Sequence, residues 1–167
     1  MRRSTFAAAL TAAVILVAAV AANAATPSPS YQLTGAELGF AQGTTSTFSG
    51  LATGSQGDRG FWRASISHAA FSTCATVTSS CAVTGGTLTL TSSNRSQVTG
   101  TFADGSFTLT ASAAGCGRQQ YAVTADAGSD QLTGTLTTIR LSFRGTCLVL
   151  ASTLTGTLST LTMAPPA

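Results

Sequence analysis

From Tyr31 almost to the C-terminus, apolar residues recur at every second position, and this period limits the possible folds more than any other feature. Side chains alternate between the two faces of a strand, so a period of two buries one face and wets the other; an amphipathic helix would repeat every 3.6 residues. The cleanest stretch runs from Gln97 to Ala113, with Asp104-Gly105 at its middle. Asp-Gly between alternating runs predicts a two-residue hairpin turn in which both turn residues take positive φ. That turn would set Phe102 opposite Phe107, Gly100 opposite Leu109 and Val98 opposite Ala111. Their apolar face would lie inward and Thr99, Thr101, Thr108 and Thr110 outward.

The pattern repeats. Val98-Thr99-Gly100-Thr101-Phe102 is echoed by Leu132-Thr133-Gly134-Thr135-Leu136 and by Leu154-Thr155-Gly156-Thr157-Leu158, each with Gly on the apolar face. Repeated interior glycines point to tight bending or close backbone approach, which a small closed sheet needs. Further strands are predicted at Thr87–Thr91, at Gln120–Thr124, and through Ile139, Leu141 and Phe143, with Arg140 and Arg144 on the opposite face. A last strand pair runs from Leu148 to near Leu161. The apolar parity switches between Leu136 and Ile139, which predicts a bulge or turn near Thr137-Thr138. Weaker candidates are Tyr31–Phe40, Ser46–Leu51 and Gly60–Ser67. Eight to ten short strands without an amphipathic helix predict an all-β, single antiparallel domain. A small meandering β-barrel is favoured, with a β-sandwich as second choice.

The first residues have a different grammar. Arg2 and Arg3, the apolar run Phe6–Val20 and Ala22-Asn23-Ala24 form the three parts of a secretory signal peptide, cut after Ala24. The run is shorter than the ~20 residues that a membrane span requires. The expected organisation is a signal peptide at 1–24 outside the fold, a short flexible segment at 25–30, the β domain at 31–162 and a tail at 163–167. Processing would leave six Arg against Glu37, Asp58, Asp104, Asp126 and Asp130, a nearly neutral chain without Lys. That balance argues against nucleic acid as a partner. No membrane anchor is expected once the leader is removed, so the address is secreted, or periplasmic if the source has an outer membrane. The lysine-free, Arg- and Ala-rich composition reads as bacterial, which makes the sequon Asn94-Arg95-Ser96 a coincidence. Cys74, Cys81, Cys116 and Cys147 form an even set in an exported chain and predict two disulfides. The favoured pairing is Cys74–Cys81 with Cys116–Cys147, one local loop and one longer loop.

Catalytic signatures are missing from the sequence. His68 is the sole histidine and Glu37 the sole glutamate, and no Gly-x-Ser-x-Gly, His-Glu-x-x-His, Walker or dinucleotide motif is present. No metal or cofactor is expected. Paired-carboxylate chemistry would require Glu37 or Asp58 to meet another acid. Functional residue types are densest at Gly57–His68, where Trp62, Arg63 and His68 are candidates to line a ligand pocket, with Trp62 as stacking plane and Arg63 or His68 as polar anchor. Against this stands a structural role, with Trp62 plugging the core and Arg63 solvated. The sequence thus supports a non-catalytic binding module for a small molecule, glycan or protein. A structural or envelope-associated protein ranks second, and a hydrolase using His68 third.

Overall fold

The computed structural model describes residues 30–38, 43–127 and 130–159; the leader, its cleavage site and the tail lie outside them. Nine strands follow in order: β1 Ser30–Glu37, β2 Thr45–Gly54, β3 Arg59–His68, β4 Ser80–Ser92, β5 Gln97–Phe102, β6 Asp104–Ser112, β7 Arg118–Ala127, β8 Asp130–Phe143 and β9 Thr146–Ser159. All pair antiparallel in a single sheet, which β1–β9 and β3–β4 pairing closes into a ring. The architecture is the meandering barrel. A closed ring leaves few open strand edges, a safeguard for a chain with so little charge.

The Asp104-Gly105 hairpin is not formed. β5 and β6 run on in one line, because β4 pairs with both in an unbroken register, Gly86 with Phe102 and Ala82 with Ser106. The ring therefore has eight positions, with β5 and β6 sharing one. Gly105 does take positive φ, at 136°, as the motif demands. It does so at a corner where the strand leans onto β7: a methyl there would lie 2.7 Å from Ala125 Cα. Parity switches across this corner, so Phe102 and Phe107 both point inward, while Ala111, expected inside, is exposed beyond a register shift after Leu109.

Towards the end where β1 begins, taken as the lower one, the barrel is filled. Phe48, Trp62, Ile66, Leu88, Leu90, Phe102, Phe107, Leu132, Leu154 and Leu158 are almost wholly buried, at 2 % exposure or less. Burial stabilises by about 1.5–3 kcal/mol for each large aliphatic or Phe side chain. Two cystines close the loops: Cys74–Cys81 after the 3-10 turn Phe71–Cys74, and Cys116–Cys147 between the β6–β7 loop and the start of β9.

β8 departs from expectation in an informative way. It passes through Thr137-Thr138 without interruption, and its register shift falls between Ile139 and Arg140. The buried parity holds while the residue types invert. Thr138 is buried and Arg140 partly so, whereas Ile139, Leu141 and Phe143 are exposed.

Candidate functional site

That inversion creates a cup at one mouth of the barrel. Three inward positions near this end are polar rather than aliphatic: Gln119 on β7, Thr138 on β8 and Ser152 on β9, each at least nine-tenths buried. Polar side chains cannot fill an interior as Leu does, and a cavity of about 390 Å³ opens above them. Leu136 and its register partner Tyr121 are well buried in its wall, Phe71 of the 3-10 turn and Val149 contribute further apolar wall, and Arg140, Glu37 and Cys147 are also among the lining residues. Eight-stranded barrels are at the size where the interior is either filled or holds one small ligand. This barrel is filled below and hollow above.

The polar groups of the cup are mostly satisfied by one another. Tyr121 Oη donates to Gln119 Oε1 at 3.0 Å, and Gln119 Nε2 to Ser112 Oγ at 3.4 Å. Thr138 Oγ1 and Ser152 Oγ lie 3.3 Å apart across the β8–β9 pair. Burial raises the pKa of the Tyr121 phenol, with the nearby positive charge of Arg140 pulling the other way. Arg140 is the exception to satisfaction. Its Nη2 donates to Gly115 O at 3.4 Å, while its Nε is buried without a partner.

The residues singled out by sequence go elsewhere. Trp62 is 2 % exposed and packs in the filled part, its Nε1 donating to Thr34 O at 3.3 Å. Arg63 is exposed on the outer face, paired in register with Ser49 and Thr89. His68 is buried, with Nδ1 2.8 Å from Ala69 O and Nε2 3.0 Å from Ser46 Oγ. A carbonyl can only accept, so Nδ1 carries a proton, and in the neutral ring Nε2 accepts from Ser46 Oγ. The pair has the hydrogen-bonding of an activated serine, yet Ser46 and His68 are only 1 % and 2 % exposed and neither lines the cup. Phe71 links the two regions, its ring 4.4 Å from that of His68 and 5.1 Å from that of Tyr121.

Glu37 and Asp58 do not meet, whereas Asp104 and Asp126 are register partners on β6 and β7. Glu37 ends β1 at the mouth, whereas Asp58 sits near the strand's start, hydrogen-bonded to Tyr31; six residues of strand put them about 20 Å apart. No cluster of three His, Cys, Asp or Glu able to hold a metal is found among the described residues. Sequence reasoning missed Gln119, Tyr121, Thr138, Arg140 and Ser152. The signal for Thr138 and Arg140 was the parity switch itself, in which polar residues held the inward positions of a strand that did not stop.

The chain is thus a meandering β-barrel, filled at one end and cupped at the other. No protein-family profile, no curated protein and no solved structure matches it.

Proposed function

We propose that this protein is a non-catalytic, exported binding module that holds one small molecule in the mouth cup. A single observation carries the reading: inward positions that could have been aliphatic are polar, and they leave a hollow with aromatic walls and a few convergent polar groups. The two cystines support an oxidising, extracytoplasmic setting, as does the signal-peptide grammar of the first 24 residues. No helix among the described residues is long and apolar enough to cross a membrane.

The test is titration with N-phenyl-1-naphthylamine, a neutral fluorophore that brightens in apolar surroundings. One saturable site is expected, abolished by Ser152→Phe, which fills the hollow, and unaffected by Arg63→Ala on the outer face. Non-saturable binding, or binding indifferent to Ser152→Phe in a protein of unchanged circular dichroism, would defeat the reading. The envelope-associated alternative draws on a different observation, the exposed Ile139, Leu141, Phe143 and Leu150 beside the mouth. A strictly monomeric species in sedimentation at high concentration would remove it.

A further inference from the structure

We propose that the ligand of the cup is a compact organic monoanion, a carboxylate or sulfonate on an aromatic or branched apolar body, with its charge held by Arg140. The proposal rests on the cup being the binding site and adds the chemistry of what enters it.

Arg140 lines the cavity on the inward face of β8, and its guanidinium is left mostly unengaged. A guanidinium carries five N–H donors in a planar fork suited to two parallel bonds with a carboxylate. Here a single bond to Gly115 O, at 3.4 Å, is its only hydrogen bond among the described residues, and the Nε is buried with no acceptor. Leaving a buried donor unsatisfied is costly, and native structures seldom do so without a reason. Across the β8–β9 pair its register partner is Val149, which supplies only methyl groups. The Nε itself is enclosed, so an acceptor entering from the cup would meet the Nη donors of the fork.

The remaining lining limits the rest of the molecule. Phe71 and Tyr121, centroids 5.1 Å apart and inclined at 47°, offer an aromatic wall, and Leu136 an apolar one. The volume of about 390 Å³ is near the low end for small-molecule sites, so the body is compact rather than a long chain. Glu37, the one carboxylate in the lining, disfavours a second negative charge. A neutral molecule could offer Arg140 at most a neutral acceptor and would leave its charge uncompensated.

The experiment compares 2-naphthoate with 2-naphthamide by calorimetry on the processed full chain, alongside N-phenyl-1-naphthylamine. The two naphthalenes share shape and differ in charge. The naphthoate should bind about ten- to a hundredfold more tightly, the range expected for hydrogen bonds to a charged group. Arg140→Gln should erase that preference, read as an acid-to-amide affinity ratio falling to about one, and Arg140→Lys should keep part of it. If Arg140→Gln fails to fold, the salt dependence in the unaltered protein decides, since only the anion should weaken with ionic strength. Equal binding of acid and amide, a preference that survives Arg140→Gln, or binding of the neutral fluorophore alone would overturn the proposal and leave the cup reading standing. Failure of all three probes would bring down the cup reading itself.

Discussion

At the scale of single residues, the buried polar groups divide by whether the fold completes them. Ser46 and His68 satisfy each other and Trp62 finds Thr34 O, so these residues act as structure. Arg140 is left open, and it lines the hollow. Tyr31 belongs with the completed groups. Burial, and then its hydrogen bond to the Asp58 carboxylate, hold the phenol neutral, with its pKa pushed up to about 12. An unfolded tyrosine ionises near its ordinary value of 10.0, so the two states diverge above it. A raised folded pKa means the contribution is complete below pH 10, drains as pH climbs, and is gone above about 12. Urea midpoints measured from pH 9 to 12 should fall, and Tyr31→Phe should make that fall shallower. Parallel curves for the two proteins would show that Tyr31 is not the group responsible.

Among the strands, what was legible in the sequence was whatever depends on alternation alone. The period of two gave strands, and the mostly local turns gave a meander. The leucines of β8 and β9 faced inward wherever Leu-Thr-Gly-Thr-Leu stood, and Gly134 and Gly156 proved to be register partners. Their backbones approach so closely that a methyl on Gly134 would lie 2.8 Å from Gly156 Cα. Gly134→Ala should therefore cost about 1–3 kcal/mol by overpacking, read as a lower urea midpoint at unchanged slope. Gly100, in the third copy of the motif, has only Ala127 Cβ nearby, at 3.5 Å, and Gly100→Ala should cost much less. Equal costs at the two sites would refute the close-approach reading. What stayed illegible turned on a choice of partner. Asp104-Gly105 suits a reversal and a corner alike at Gly105, where both need positive φ, and only the reversal would ask it of Asp104 as well. Only β4, long enough to pair with both β5 and β6, decides between them, and no local pattern reports that. The cup stayed hidden for a related reason. Inward polarity can be recognised only once it is known that β8 continues past Thr138.

The cystines act between elements, and their spans rank them. Cys116–Cys147 joins residues 31 apart and Cys74–Cys81 residues 7 apart. By chain entropy the longer loop should contribute about 3.7 kcal/mol and the shorter about 2.5 kcal/mol. The longer bridge also ties the mouth end of β9 to the loop holding Gly115, the acceptor of Arg140. Replacing Cys116 and Cys147 by Ser should therefore lower stability more than replacing Cys74 and Cys81, and it should weaken binding in the cup more, although Cys74–Cys81 also holds the turn that carries Phe71. Denaturant unfolding and fluorophore titration of the two double variants separate these effects. Loss of binding in the Cys74/Cys81 variant alone would contradict this division.

For the molecule as a whole, ring closure matters more than where the chain begins. Ser30 and Ser159 are register partners on neighbouring strands, which brings the two ends of the barrel sequence within about 5 Å. Both lie at the filled end, away from the cup, because β1 runs from Ser30 towards Glu37 at the mouth. A short Gly-Ser link between them should leave every strand pairing intact and allow new termini elsewhere. The β4–β5 loop also turns at the filled end, and Arg95 there takes a positive φ of 68°, a conformation that costs a non-glycine residue. A permutant opened between Asn94 and Arg95 loses a constrained turn far from the cup. It should fold cooperatively, with fluorophore affinity within about twofold of the parent. Opening between Arg144 and Gly145 instead cuts the β8–β9 turn, freeing the ends of the two strands that carry Arg140 and Val149, so affinity should drop by about tenfold or more even where the barrel folds. The contrast follows from the proposed division of labour along the barrel axis, in which the filled end carries stability and the hollow one would carry recognition. If both permutants bound equally well, recognition would not reside in the mouth.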